Sequence, residues 1–582
     1  MRLLLSFANF IRQTLIGFSQ LRELNLSLTR KVFSLMGKIE KFLVIILILG
    51  AITSFSWTLV RTYQTHTVAI PAEGGEYIEG VLGQPRVINP LLATSATDTA
   101  LTRLVFASLY TYDNEGRIVP ELAESLPGIS DDQKNYTINL RRGAKWHNGA
   151  DITSDDVIFT FQTIQNEQYK SPLRSEWLSS TVEKINDYTI VFKNKDISGP
   201  FLDNLTVPIL PKTIWSQVPP ENFATSEYNL EAVGSGAYTV KTIKKIPGGN
   251  IQSITLESFA DYYAGTPKIK TVTIRFFDSY EGVITALRGR EIHGFGFSSI
   301  DKNVRLTTSE RFSKFELPLP QYQAVFFNTA TGILKDKNIR QALALSTDKQ
   351  ALQGAVFEGS GRIMHGPLTP EQVTGDPVET DLGYNPNQAA ILLDKAGWPM
   401  DGAQNLRLKQ GKPLEINLVS SNIAANAESL KFLAESWQKL GVKVTQTILD
   451  PAELTDAVIR PRKFDALVLV QRLGADADPF PFWHSSQTKD PGLNITGFKN
   501  EATDKLITEA RSTTQEPSRQ DRYRRFYEII NQEVPAIFLN QNTYVYWLSN
   551  DIKNIGLHIL YDPAFRMNDI GKWYIKEKRV LK

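Results

Sequence analysis

The chain has 582 residues, of which 42% are hydrophobic and 22% charged; this is longer than one core usually organises and points to two or three lobes, and neither figure suggests disorder or a polytopic membrane protein. The net charge of +2 hides an asymmetry: residues 1–41 hold seven basic residues against two acidic ones, so the rest carries 57 basic against 60 acidic and has no bulk charge suited to nucleic acid. No cysteine is present, which excludes disulfides, zinc–thiolate sites and thiol catalysis.

After the basic leader, residues 42–60 (FLVIILILGAITSFSWTLV) form 19 consecutive positions without a charge, close to the ~20 that a helix needs to cross a bilayer. Trp57 and Tyr63 sit where interfacial aromatics are favoured, and Lys38 and Lys41 precede the span. Positive charge on that side predicts a cytoplasmic N-terminus with the bulk of the chain outside. No small-residue cleavage site follows Val60, so an uncleaved anchor is expected, not a signal peptide. The leader itself has apolar residues at helical spacing with Arg on the other side, which fits either a helix on the inner membrane surface or an unstructured leader. Residues 61–75 read as a linker ending in Pro71, Gly74 and Gly75.

The exported part opens with a strand at 76–81, the bend INPLL and an apolar helix near 101–109. Residues 136–140 alternate as a strand should. Thr153 with Asp156 three positions on is a capping box that starts a helix carrying Val157, Phe159 and Phe161. The clearest alternation of strand and helix comes later. Asn385, Pro386, Gly397 and Pro399 bracket one helix. A strand at 414–419 precedes a helix whose buried face is Leu430, Leu433, Trp437 and Leu440, stopping at Gly441. A second strand spans 442–449, Asp450-Pro451 caps the next helix, and 464–470 is a third, nearly all-apolar strand. Such a βαβαβ unit binds ligands beyond the carboxyl ends of its strands, so the loop 471–484 is a candidate part of a site.

No catalytic pattern is present. The six histidines are scattered without an H-E-x-x-H pair, no G-x-S-x-G elbow occurs, and the Walker nucleotide signature is missing. An enzyme is therefore not expected, and neither is a metal or a cofactor.

Several segments in one order do carry a resemblance. PELAE at 120–124, followed by YTINLRRGAKWHNGADITSDDVIFTF at 136–161, is similar to P-x-L-A-E-S-W … Y-T-F-x-L-R-x-G-x-x-F-H-D-G-x-x-x-T-A-D-D-V. GSGAY at 234–238, FFNTATGILKDKNIRQALALSTDK at 326–349, YNPNQAAILLDKAGW at 384–398, DPF at 478–480 and NITGF at 494–498 extend it. Together they resemble the dipeptide- and oligopeptide-binding proteins of ABC importers, solute-binding protein family 5, over nearly all of the exported chain. The resemblance implies an α/β, type II periplasmic-binding-protein fold of three lobes with a hinge, preceded by the transmembrane helix. It places lobe I at 76–109, 229–320 and 541–582, lobe II at 110–228, and lobe III at 321–540. The implied function is capture of a peptide between lobes that close about a hinge. Permease and ATPase would be separate proteins, and the chain a monomer. Another solute on the same fold, such as an oligosaccharide or nickel chelate, or an anchored scaffold without an importer, are the alternatives.

In peptide binders of this family an aspartate in the loop after the third strand pairs with the ligand's ammonium. Counted back from the Asp-Pro step, that position falls on Ala475 here, one residue before Asp476. Asp476 is therefore a candidate ligand contact. Asp478 is another, although Asp before Pro also caps turns, and both fit solvated turn carboxylates equally well. Phe480 and Trp483 are candidates to line the cleft or to fill the hinge. Asp98, after the INPLL bend, completes the candidate set.

Overall fold

The computed structural model describes residues 34–199, 201–297, 311–373, 382–474, 476, 478–513 and 515–582. The chain separates into two compact units. One contains the N-terminal helix and both terminal strands; the other is the body, Ala72–Lys576.

In the first unit the helix Lys38–His66 has 29 residues and buries none of its side chains. At 1.5 Å per residue it is about 43 Å long. It thus continues beyond the uncharged stretch, through Arg61–His66, where no Pro or Gly interrupts it and Thr65 Oγ1 bonds back to the Arg61 carbonyl at 2.9 Å. A strand, Thr67–Ala72, follows directly and pairs with the C-terminal strand Lys576–Leu581.

The body is built from these main elements: β1 (Glu76–Leu82), α1 (Ala96–Val105), β2 (Asn135–Asn139), α2 (Ser154–Gln165), β3 (Ser180–Asn186), β4 (Thr189–Asn194), β5 (Tyr238–Lys245), β6 (Ile251–Ser258), β7 (Thr271–Phe277), β8 (Gly294–Phe297), β9 (Phe312–Phe327), α3 (Lys349–Phe357), α4 (Pro386–Lys395), β10 (Glu415–Ser421), α5 (Ala424–Lys439), β11 (Lys443–Leu449), β12 (Ala466–Arg472), α6 (Glu501–Arg511), α7 (Glu516–Glu533) and β13 (Ala536–Ser549). A long sheet of 11 strands among the described residues runs β11-β10-β12-β9-β13-β8-β1-β7-β6-β5, with the short strand Arg362–Ile363 on β13. A separate four-stranded sheet joins Gly128–Ile129, β2, β4 and β3.

Local chemistry explains where the elements begin and stop. Thr153 and Asp156 make the reciprocal capping box at α2. Asn385 accepts from Gln388 N ahead of Pro386, and Gly397 turns the chain with φ 82° at the far end of α4. In α5, Leu430, Leu433 and Trp437 are fully buried and Gly441, at φ 87°, ends the run. α1 starts earlier than its apolar residues alone indicate, because Ser95 accepts from Asp98 N and caps it there.

The βαβαβ unit is present. β10 pairs in parallel with both β11 and β12, so the chain crosses to one side of β10 and then to the other. Both faces of this half of the sheet are covered: Val325, Phe327, Ala466 and Val468 enter one core with α5, while Ala324, Phe326 and Leu467 enter a second with α7. Burial on two sides is why the third strand reads as a continuous apolar run. The two longest strands, β9 and β13, pair antiparallel along their length but slip register between Pro318 and Tyr322. On one side of the slip the pairing is Phe312–Pro318 with Thr543–Ser549; on the other β9 pairs also with β12.

Candidate functional site

The third strand, β12, ends in Gln471-Arg472, and Ser421 ends β10. Above these carboxyl ends lies a cavity of about 310 Å³, a size that holds a small organic ligand. Its apolar wall is Val356 and Phe357 of α3, Leu454 and Ile459 after Asp450, and Leu469. Residues 454–459 form a turn of π-helix, a widening often found at functional sites. Asp450 starts that segment by accepting from Ala452 N, as the Asp-Pro pattern predicts.

The polar wall is Gln321, Ser421, Asn426, Arg472, Asn540 and Asn542. Asn426 is tied to Gln323 Nε2 at 2.8 Å and to Ser421 Oγ at 2.9 Å. Three side chains in this wall, Gln321, Arg472 and Asn542, have no partner among the described residues. Asn542 Oδ1 is buried without a hydrogen bond. Arg472 is exposed and forms no ion pair or side-chain hydrogen bond. A buried acceptor without a donor and a guanidinium beside an apolar wall match, in chemistry, an N–H and an anionic group.

None of the five residues singled out from the sequence lines this cavity. Four of them share one segment after β12. Asp476, with 7% of its side chain exposed, is paired with Arg519 of α7 at 2.7 Å. Burial, and then the neighbouring Asp203 and Asp478, push its carboxyl up to about 7 against the pull of Arg519. Asp203 is raised too, by burial, and accepts from the Tyr112 hydroxyl. Asp478 accepts from Phe480 N at 3.1 Å and pairs with Arg511 at 3.2 Å. Phe480 stacks on His484 at 4.3 Å between ring centres, with the Arg511 guanidinium 4.7 Å from its own. Trp483 is 1% exposed in the core among Phe326, Phe526 and Phe538. Asp98 stands apart on α1, where it accepts from Arg86 N at 2.7 Å and Val87 N at 3.2 Å and fastens the preceding loop.

Arg472 and Asn542 were not singled out in the sequence. Arg472 lies within the loop region marked by the βαβαβ pattern; Asn542 carries no local signal, because it reaches the cavity from a strand far along the chain.

The signature segments meet elsewhere, and they do so as scaffold. His147 Nδ1 accepts from Gly234 N at 3.1 Å and its Nε2–H donates to Gly236 O at 3.1 Å. Burial drives this imidazole down to about 4, so it is neutral. A Cβ on Gly234 would overlap the Val105 carbonyl, and one on Gly236 would stand 2.6 Å from the Leu104 carbonyl. The WHNG and GSG motifs are therefore two halves of one packing contact against α1.

Comparison with known proteins agrees with this architecture. Residues 117–493 match the family described as bacterial extracellular solute-binding proteins, family 5. The chain is 28% identical to the oligopeptide-binding protein AppA of Bacillus subtilis over 517 residues, covering 87% of this chain and 92% of AppA. It is 25% identical to di/tripeptide-binding protein 1 of Pseudomonas aeruginosa, covering 79% and 88%. Among solved structures, AppA in complex with a nonapeptide superposes with a TM-score of 0.68 at 27% identity, covering 87% of this chain and all of that one. The substrate-binding protein CtaP of Listeria monocytogenes gives 0.74 at 26%, with the same coverage. The fold is α/β, of the type II periplasmic-binding kind, and the chain belongs to the bacterial extracellular solute-binding proteins, family 5.

Proposed function

We propose that this chain captures peptides outside the cytoplasm for an ABC importer, and that the peptide sits in the cavity above β10 and β12 with its carboxylate on Arg472. The observation that carries the reading is the free guanidinium of Arg472 beside an apolar wall and an unpaired Asn542 oxygen. The names of AppA and of the Pseudomonas di/tripeptide-binding protein, and the nonapeptide bound in the AppA structure, support a peptide as the ligand. Asp476 is the carboxylate proposed for the ammonium, taken in exchange for Arg519. The register slip in β9 and β13 is the proposed hinge; it spans 318–322 on β9 and 541–543 on β13, beside the lobe boundaries 320/321 and 540/541 read from the sequence. The helix Lys38–His66 is the proposed single membrane span, with the basic leader inside. Permease and ATPase are separate chains in this scheme.

The test begins with mass spectrometry of whatever co-purifies with the detergent-solubilised chain. Calorimetry then compares that peptide with its C-terminal amide, on the parent and on Arg472→Gln. Closure of the lobes over the ligand desolvates the Arg472 contact in this scheme; its loss then costs ~2–5 kcal/mol, so the amide should bind roughly 30-fold or more weakly to the parent. Arg472→Gln should no longer distinguish the two. A non-peptide solute, or an Arg472→Gln variant that binds like the parent, would sink the assignment.

A further inference from the structure

The first unit carries a feature that solute capture does not use. The sequence from Arg61 to Pro71 contains no acidic residue, and the C-terminal strand brings Lys578, Arg579 and Lys582 to it against the single Glu577. Lys582 N donates to the His66 carbonyl at 3.0 Å, so the last residues lie at the end of the helix. Arg579 is fixed there: Nε donates to Thr67 Oγ1 at 2.9 Å, a terminal nitrogen to the Gln64 carbonyl at 3.2 Å, and the guanidinium lies 5.7 Å from the Tyr63 ring centre.

Arg61, Lys578 and Lys582 are exposed and have no ion pair among the described residues. Apolar side chains stand among them: Tyr63 is 56%, Val68 44% and Leu581 62% exposed. The 19 uncharged residues 42–60 span about 28 Å, the depth of bilayer hydrocarbon. Arg61 to His66 therefore emerge at headgroup level, and Lys582, bonded to His66, emerges with them. Cations at that level beside exposed apolar and aromatic groups match a layer with phosphates above and acyl chains below.

We propose that the outer end of the helix and the two-stranded ribbon form a docking surface for the phosphates of anionic phospholipids in the leaflet where the helix emerges. The proposal rests on the membrane-spanning reading of the helix. Arg61, Lys578 and Lys582 supply the charge, Leu581 and Val68 enter the interface, and Arg579 holds the ribbon to the helix.

The chain has no cysteine, so Leu581→Cys accepts one environment-sensitive fluorophore at a known place. The full chain is placed in nanodiscs of phosphatidylcholine alone or mixed with phosphatidylglycerol. The proposal expects emission shifted further to the blue with phosphatidylglycerol than with phosphatidylcholine alone, the difference removed by salt at about 0.5 M, where the Debye length is a few ångströms. Each basic residue at an anionic surface is worth about fivefold. Changing Arg61, Lys578 and Lys582 together to Gln should lower the docked-to-free ratio roughly hundredfold. Alkaline carbonate extraction of membranes holding the same proteins reads the anchor separately. If the chain resists extraction but the emission is the same in both lipids, or the triple variant docks like the parent, the docking surface is overturned and the anchor stands. If carbonate extracts the chain, the spanning reading fails and the docking proposal with it.

Discussion

Replacing Arg519 by Met is the sharpest test of the electrostatics after β12. Arg519 is 15% exposed and faces Asp476, which is 7% exposed, at 2.7 Å; Asp203, Asp478 and Glu516 add negative charge around it. Removing one partner of a buried pair typically costs ~3–5 kcal/mol, because the other charge is left without compensation. That cost applies only where Asp476 is ionised. Its carboxyl is raised from 3.8 to about 7, mainly by burial, so the folded state holds a proton there that the unfolded chain releases near pH 4. Folded protein binds more protons across that interval, so this group makes stability fall as pH rises from about 4 to 7 and then level off, by a few kcal/mol. Arg519→Met should therefore cost about 3 kcal/mol at pH 8, but only ~1 kcal/mol at pH 5, where mainly packing and hydrogen bonds are lost. Asp476→Asn mimics the protonated carboxyl and should flatten the pH slope. Added to Arg519→Met, it should restore most of the loss at pH 8. Urea titration of the detergent-solubilised chain by tryptophan fluorescence measures each midpoint at both pH values. Arg519→Met equal to the parent at pH 8, or a double variant less stable than Arg519→Met alone, would refute the reasoning.

Other perturbations probe different parts of the molecule. Glu79, 0% exposed, pairs with Arg566 at 2.7 Å and accepts from Tyr546 at 2.9 Å, so Glu79→Gln should lose ~3–5 kcal/mol in thermal or urea unfolding by stranding a buried guanidinium. Gly234→Ala should destabilise by ~1–3 kcal/mol or more, since the new Cβ meets backbone at Val105 and cannot move aside; an unchanged midpoint would show that the contact yields. For the proposed ammonium contact, Asp476→Asn should weaken a peptide with a free N-terminus roughly 30-fold and leave its N-acetylated form nearly unaffected. Equal binding of both peptides to parent and variant in calorimetry would leave Asp476 a structural partner of Arg519 alone.

What the sequence reveals of this protein divides along one physical line: signals carried by neighbours along the chain are legible, and those completed by distant partners are not. The capping box at Thr153, the Asn385-Pro386 start and the turn at Gly441 each act within a few residues, so the elements they bound lie where their pattern predicts. The βαβαβ unit is legible for the same reason, and with it the edge of the sheet that holds the cavity. The strands Thr67–Ala72 and Lys576–Leu581, the first directly after the N-terminal helix, pair across more than 500 residues; nothing local in TVAIPA announces a partner, and the segment reads as a linker. The site shows this most clearly. Asp476 and Arg472 lie four positions apart, at and just beyond the end of β12, and the sequence singles out only Asp476. Asp476 meets Arg519, 43 residues further on, while Arg472 meets no carboxylate among the described residues. Whether a charge is spent inside the protein or left for a ligand is decided by its partner's position in space. That is why the unpaired Arg472 now carries the functional reading and the sequence alone favoured its neighbour.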